Sequence, residues 1–550
     1  MSLSTRRDFL ATTSLALAGT VVGRRLGAQR LSPEASRSSL SAADFLPTPM
    51  AALDLRALAT SAVDAAKSAG ATYADIRVAE RHFMSVDAGM DPLNGNTELE
   101  SKFLYGVRVL AAGRWAFVHG TIPTADTVAA AARSAVTTAQ GYAKLAPSRA
   151  DFAPAPAVTG EWTTPLQRDP FTVPLQEHVA LLNAYAGAAG RVRGGGMGNR
   201  MIEWTRETRV FASTEGALTT QTLVQSVPKV GIIADRGMGL VQLLVPALAP
   251  ASGGYERLTV PSIQDQIQTV TEEAVRWASL PRRSMDVGRY PVVFDGVSLG
   301  TTLLHTFGTG LELDRVLGYE ANASGTSYLS PPNELVGTPV ANPLLTVTGE
   351  RSAPHVSAVR WDDEGVEAQS FPVITRGTLE TYYGSRQTVP ALRGGESDRA
   401  GRPGATPGLQ GCAVASDASC PVVVRPPHLV IAPGQGTATL DDLCQGIAHG
   451  LVLCECRWVS MDQQLSSGSF PIVSLLLEIE RGKVVRRVEG NVLQFTTAKL
   501  WKSLTTLGDA GTVRTNAVEL VKGLPWRWFT QGATAPAALI KDVDVYSTRL

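Results

Sequence analysis

The sequence predicts an α+β protein, a mixed α/β N-terminal region followed by a β-rich C-terminal domain. Three observations carry that class. In the first half, segments with apolar residues every three to four positions alternate with segments of period two. Beyond residue 288 the period-two type dominates. The chain is also rich in turn formers, with 52 Gly and 33 Pro against 6% aromatic residues. A composition of 44% hydrophobic and 18% charged residues suits packed cores, and 550 residues leave room for two to four domains.

The first element is a targeting signal. Ser4-Thr5-Arg6-Arg7-Asp8-Phe9-Leu10 has the twin-arginine pattern, followed by a mild apolar run over 10–23 and small residues at Gly27-Ala28. The run is too short to span a bilayer. Residues 1–30 are therefore expected to be a twin-arginine signal peptide centred on Arg6 and Arg7, and 31–45 a Ser-rich linker. The mature chain would work outside the cytoplasm, in the periplasm or an equivalent space, with no stable membrane insertion. Lys+Arg and Asp+Glu are equal at 50 each, so no basic surplus favours nucleic acid.

Residues 46–285 read as the α/β region. A helix over 53–69 ends at Gly70. A strand follows over 73–79, and 106–110 with 114–118 flank Ala111-Ala112-Gly113 as a hairpin. The Ala-rich 126–143 is a helix, and the Pro-rich 146–174 is expected to run over the surface. A helix over 175–193 precedes Gly194-Gly195-Gly196, expected to interrupt the chain. Strands over 202–212 and 219–230 flank Ser213-Thr214-Glu215-Gly216, and 264–278 is helical.

Residues 286–550 read as the β-rich domain, with strands over 291–294, 344–347, 373–375, 422–431, 451–459, 472–480 and 484–488. The segment 297–316 is the main helix there, and 394–411 a Gly-rich loop. All five cysteines lie in this part: Cys412, Cys420, Cys444, Cys454 and Cys456. Cys412 and Cys420 flank a small-residue loop that an oxidising compartment could close as a disulfide. Cys454 and Cys456 alternate as on one strand face, a buried pair in preference to a soft-metal site. Asp362-Asp363-Glu364-Gly365 reads as an acidic turn, because its spacing is not that of a calcium loop. No phosphate-binding Gly-x-x-x-x-Gly-Lys-Ser/Thr loop is present.

Several ordered stretches resemble one family. They are Gly70-Ala71-Thr72-Tyr73-Ala74-Asp75-Ile76-Arg77-Val78, Gly106-Val107-Arg108-Val109 with Gly113-Arg114-Trp115-Ala116, Tyr290-Pro291-Val292-Val293-Phe294-Asp295 and the 303–318 stretch. Gly337-Thr338-Pro339-Val340-Ala341, Asp362-Asp363-Glu364-Gly365-Val366, Ile431-Ala432-Pro433-Gly434 and Glu480-Arg481-Gly482-Lys483-Val484 follow. Together they are similar to the TldD/PmbA family. The resemblance implies a mixed α/β N-terminal domain, a β-rich C-terminal domain, and zinc-dependent peptide hydrolysis by a two-subunit assembly. One subunit type carries a His-Glu-x-x-x-His helix and a Cys ligand near the C-terminus. The other lacks these ligands and completes the chamber.

Zinc hydrolysis needs three protein ligands, an open water position and a base. Laid over 303–318 without a gap, the family motif puts its first His on Leu304, its Glu on His305 and its second His on Thr309. With one residue deleted, His305 is the first His, the Glu is missing and Thr309 again takes the second position. No cysteine follows Cys456, and the expected Cys region reads Lys522-Gly523-Leu524-Pro525-Trp526-Arg527-Trp528-Phe529. The aromatic residues there either plug the place of the missing Cys or are ordinary core.

The resemblance therefore implies an exported, non-catalytic subunit. Its partner would be a metal-bearing TldD-type homologue in a heterodimer or homodimer, its substrate unfolded peptide. No cofactor is expected in this chain, with zinc in the partner or in a rebuilt site. A rebuilt site would use His305 as ligand and Glu312 as a catalytic or ligating carboxylate, since His305, Thr309 and Glu312 share one face of a regular helix. His355, His428 or His449 would then approach from elsewhere. The bland reading makes His305 a hydrogen-bonded helix histidine, and Glu312, Asp314 and Arg315 salt-bridge or subunit-contact residues. A third reading is a peptide-binding or assembly protein without a peptidase partner.

Overall fold

The computed structural model describes residues 29–32, 39–47, 52–89, 96–121, 123–144, 150–235, 240–392, 408–470 and 475–548. Arg6 and Arg7, with the rest of the expected signal, lie outside them, as does most of the Gly-rich 394–411 segment. Among the described residues no helix is long and apolar enough to cross a membrane.

A nine-stranded sheet organises the N-terminal region. Its long central strands are β1 (Tyr73–Asp87), β2 (Asn96–Ala111), β4 (Gly195–Ser213) and β5 (Leu218–Ala234), with β3 (Arg114–Gly120) beside β2. The β2–β3 hairpin turns at Ala112 and Gly113, both left-handed with φ of 51° and 74°. Two left-handed residues match the twist of a two-residue hairpin, which is what Ala-Ala-Gly promised. Gly194 to Gly196 do not break the chain, because β4 begins at Gly195. The segment expected to run over the surface contributes an edge strand, Thr159–Thr163, parallel to β5. The expected linker is also partly folded. Gln29–Leu31 pairs with β2, and Ala42 is fully buried.

Strand β1 shows how period two divides the sheet. Its even positions face helices. Ala74, Ile76 and Val78 join a core with α1 (Ala52–Ser68) and α2 (Ala125–Tyr142). Met84 and Val86 join one with α3 (Leu175–Gly190) and α4 (Ser262–Ala278). The odd positions Asp75 and Arg77 face loops of the C-terminal domain. Asp75 accepts from Arg108, and Arg77 donates to the Cys420 carbonyl at 2.9 Å.

The C-terminal domain carries a ten-stranded and a six-stranded sheet. The α3–α4 core continues onto the ten-stranded sheet through Val452, Leu477 and Ile479. A second core joins that sheet to the six-stranded one, with the 296–308 helix in it. This helix follows β6 (Gly288–Phe294). The helix expected over 297–316 is interrupted. α5 (Gly296–Leu303) passes into a π-helical turn over Leu304–Gly308, and a separate short helix spans Leu313–Val316. Side-chain hydroxyls compete with the backbone ladder there: Thr306 donates to the Thr302 carbonyl and Thr309 to that of Leu304. His305, Thr309 and Glu312 therefore do not share the face of one regular helix.

Other strand expectations shift for local reasons. The 422–431 strand divides around Pro426-Pro427 into Val423–Val424 and His428–Ile431, which belong to different sheets. β7 (His449–Cys454) ends where Glu455 turns left-handed at φ 54°. Cys454 and Cys456 are both buried but sit in different cores, so they are not a pair on one face. Cys412 and Cys420 are free thiols. The residue facing Cys412 across its hairpin is Arg425, whose N–H donates to the Cys412 carbonyl at 2.9 Å, and Cys420 lies out in the loop.

Candidate functional site

The site is built on the 296–308 helix. Asp295 caps it, accepting from the Ser298 N–H at 2.7 Å. The helix lies directly on β8 (Arg514–Lys522) and β9 (Arg527–Ala535). Gly296 permits this approach, since a Cβ there would meet the Ala535 carbonyl oxygen at 2.4 Å. Asn516 of β8 fixes the helix register by donating to Thr301 Oγ1 at 2.8 Å.

His305 is 5% exposed. Its Nδ1 lies 2.9 Å from the Thr301 carbonyl oxygen. A carbonyl only accepts, so Nδ1 carries the proton and Nε2 keeps its lone pair. Nε2 has no hydrogen-bond partner among the described residues. Burial, with Arg425 nearby, pushes the imidazole pKa down to about 4, so the ring is neutral at pH 7. This is the tautomer that a metal-ligating histidine adopts.

The other candidates are engaged differently. Leu304 is fully buried in the apolar core, and the Thr309 hydroxyl is spent on a backbone carbonyl. Glu312 is fully buried between two cations, accepting from Arg425 Nη1 at 2.7 Å and Lys522 Nζ at 2.6 Å. Lys522 also donates to Asp314 at 2.6 Å and to the Val424 carbonyl at 2.8 Å. Burial raises the Glu312 pKa, and Arg425 and Lys522 pull it back. Two carboxylates and two cations thus close one internal network. Arg315 donates to the Thr326 carbonyl at 2.8 Å. Glu312 and Asp314 are therefore internally paired, and Arg315 is held by backbone carbonyls, so none of the three is a surface contact.

Lys522 enters from the segment where the family motif would bring its Cys. Its importance was not legible in sequence, because its partner Glu312 is 210 residues away. The aromatic residues beside it split. Phe529 is buried with its ring 5.1 Å from the Arg425 guanidinium. Trp526 and Trp528 are 64% and 53% exposed, so they are neither plug nor core.

The remaining histidines do not join His305. His355 and His428 stack on each other with ring centroids 4.0 Å apart, and His449 pairs with Glu478. Among the described residues no three His, Cys, Asp or Glu side chains converge as metal-holding groups.

One cavity opens at the start of the helix and another lies away from it, between the two regions. The larger, about 790 Å³, surrounds the Asp295 cap with Glu273, Glu455, Arg514 and Trp277, not His305. The smaller, about 190 Å³, lies between the polar face of the N-terminal sheet and C-terminal loops. Its walls include Arg81, Arg209, Arg351, Trp361, Trp528 and Gln531. Beside it the acidic turn is a hub. Asp362 accepts from the N–H groups of Glu364, Val366 and Ala413, Asp363 pairs with Arg209, and Glu364 with Arg108.

Residues 287–547 match the family model for the PmbA/TldA metallopeptidase C-terminal domain. A metalloprotease of Archaeoglobus fulgidus is 24% identical over 292 residues, which span 52% of this chain and 61% of that protein. Among solved structures, a candidate modulator of DNA gyrase from Thermotoga maritima superposes with TM-score 0.64 at 16% identity. That match covers 89% of this chain and 99% of the other. TldE from Thermococcus kodakarensis gives TM-score 0.63 at 13% identity, over 89% of this chain and all of that one (100%). A candidate DNA gyrase modulator from Bacteroides thetaiotaomicron gives 0.61 at 15% identity, over 90% and 98%. At these identities the structural likeness is one of fold.

Proposed function

The chain belongs to the TldD/PmbA family, and we propose that it serves as the non-catalytic subunit of a peptidase assembly. The observation that carries this reading is the engagement of Glu312 by Arg425 and Lys522. Protein cations stand against the carboxylates of the motif segment, and Leu304 and Thr309 occupy the motif positions. The donor set does not fit zinc. It offers one imidazole nitrogen, a hydroxyl bonded elsewhere and no thiolate from the C-terminal segment, where zinc needs three ligands. We derive no hydrolytic step through a metal in this chain.

On this reading a metal-bearing TldD-type homologue supplies the chemistry, and this chain completes a chamber that takes unfolded peptide. Peptide would pair its backbone with exposed strand edges, which needs no sequence-specific pocket. Arg6 and Arg7 would send the folded pair across the membrane by the twin-arginine route into the periplasm or an equivalent space. Reconstitution tests the proposal. Adding this chain to a metal-bearing homologue should raise its hydrolysis of an unfolded peptide, while this chain alone with added zinc hydrolyses none. Equal hydrolysis by the homologue with or without it would contradict the pairing.

A rebuilt active site is favoured by one observation, the unpartnered lone pair of His305 Nε2. It would require ligands other than Glu312. Peptide binding without any partner is the third reading, and it would leave the chain monomeric beside the homologue.

A further inference from the structure

The smaller cavity contains a buried cation that has no carboxylate partner among the described residues. Arg351 is 5% exposed. Its Nη1 donates to the Ser357 carbonyl at 3.2 Å, and its guanidinium lies against the Cys412 thiol. Its Nε and Nη2 reach no partner among the described residues. The carboxylates around the cavity are already engaged. Glu207 and Asp363 hold Arg209, and Asp362 accepts three backbone N–H groups. A buried charge without its counter-charge is costly, so an arginine held this way is poised for an anion from outside.

The other walls supply complementary chemistry. Gln531 is 4% exposed, and its Oε1 is an acceptor without a donor. Trp361, Trp528 and Phe529 give apolar surface beside it, and Arg81 adds a second positive side chain. The volume, about 190 Å³, is below the roughly 300–1,000 Å³ of pockets that enclose a whole small ligand. It suits the end of a chain whose remainder lies outside.

We propose that this cavity binds a peptide carboxylate, with Arg351 taking the carboxylate oxygens, Gln531 Oε1 accepting a peptide N–H, and the aromatic wall holding the adjoining side chain. This rests on the peptide-binding reading above and adds a polarity to it, since the bound peptide would be anchored at its C-terminal end. An acidic side chain carries the same group, and the test separates the two sources.

The probe is a fluorescein-labelled decapeptide of Gly, Ser and Leu, measured by fluorescence anisotropy in three forms. These are the free C-terminal acid, the C-terminal amide, and the amide with one internal Glu. The free acid should bind about tenfold or more tighter than the neutral amide, the effect of one charge-assisted hydrogen bond. Arg351→Lys should remove most of that difference, because Lys cannot offer the planar fork. If the internal Glu form matches the free acid and is equally sensitive to Arg351→Lys, the site is supported with the side chain as its source.

Equal binding of all three forms would overturn the carboxylate site and leave peptide binding intact. No binding of any form would overturn both. Trp528→Ala, on a half-exposed side chain, guards against misfolding of the buried arginine variant. It should weaken binding of the free acid severalfold, and unchanged affinity would contradict this location.

Discussion

The two ends of the 296–308 helix differ in how they handle charge. At its start, Asp295 caps the helix and faces a cavity of about 790 Å³ beside Glu273 and Glu455. Burial raises all three carboxyl pKa values, that of Glu455 to about 7. Past its end, Glu312 is paired with Arg425 and Lys522, and Asp314 with Lys522. A helix N-terminus is itself partly positive and can hold a carboxylate. At the far end side-chain cations from distant parts of the chain, Arg425 and Lys522, meet the carboxylates. Glu455 at the cap end has the half-exposed Arg457 beside it at 3.2 Å, so what distinguishes the motif end is that its counter-charges, Arg425 and Lys522, are themselves fully buried.

The largest expected effect comes from removing one of these counter-charges. Lys522→Met leaves two buried carboxylates with one cation, and should destabilise the protein by about 3–5 kcal/mol in urea unfolding. Lys522→Met combined with Glu312→Gln should recover much of the loss. Equal losses in the single and double variants would mean that packing, not charge, dominates the network.

Next comes acid. The imidazole of His305 is held neutral, with its pKa lowered to about 4. A folded pKa below the unfolded value means that the unfolded state binds the proton more tightly. Its contribution to stability is therefore fully present above about pH 6.5 and is lost as pH falls from there through 4. For His305 alone this amounts to about 3 kcal/mol at most by pH 4. His305→Gln should flatten the stability profile across that window, read from melts at several pH values. An unchanged slope would place the titration elsewhere, with His178, also lowered to about 4 by burial, the first alternative.

Asp295→Ala tests the cap end and should cost about 1–2 kcal/mol, the loss of one N-cap. A loss as large as that of Lys522→Met would erase the contrast between the two ends. The smallest effect is at the surface. Trp526→Ser, on a side chain 64% exposed, should change stability by less than about 0.5 kcal/mol. A larger loss would mean that the tryptophan is covered in solution.

The α+β class, the main N-terminal helices, the Ala111-Ala112-Gly113 hairpin and the family were legible because each rests on local spacing or on an ordered set of short motifs. What was not legible depends on long-range pairing. Nothing near Glu312 in the chain announces Arg425 or Lys522. The π-helical turn arises from Thr hydroxyls bonding back to carbonyls, which apolar periodicity does not register. Cys454 and Cys456 read as one strand face until Glu455 is seen turning left-handed. Arg351 had no motif around it, and its isolation emerges only when the two regions are seen to close over it. The residue types at Leu304 and Thr309 were legible. Where their backbone goes was not.

The most direct test of the central claim is the metal content of the purified protein by mass spectrometry, beside His305→Ala. Far less than one zinc per chain is expected in both. Near one zinc per chain, lost in the variant, would contradict it and make His305 a ligand of a working centre.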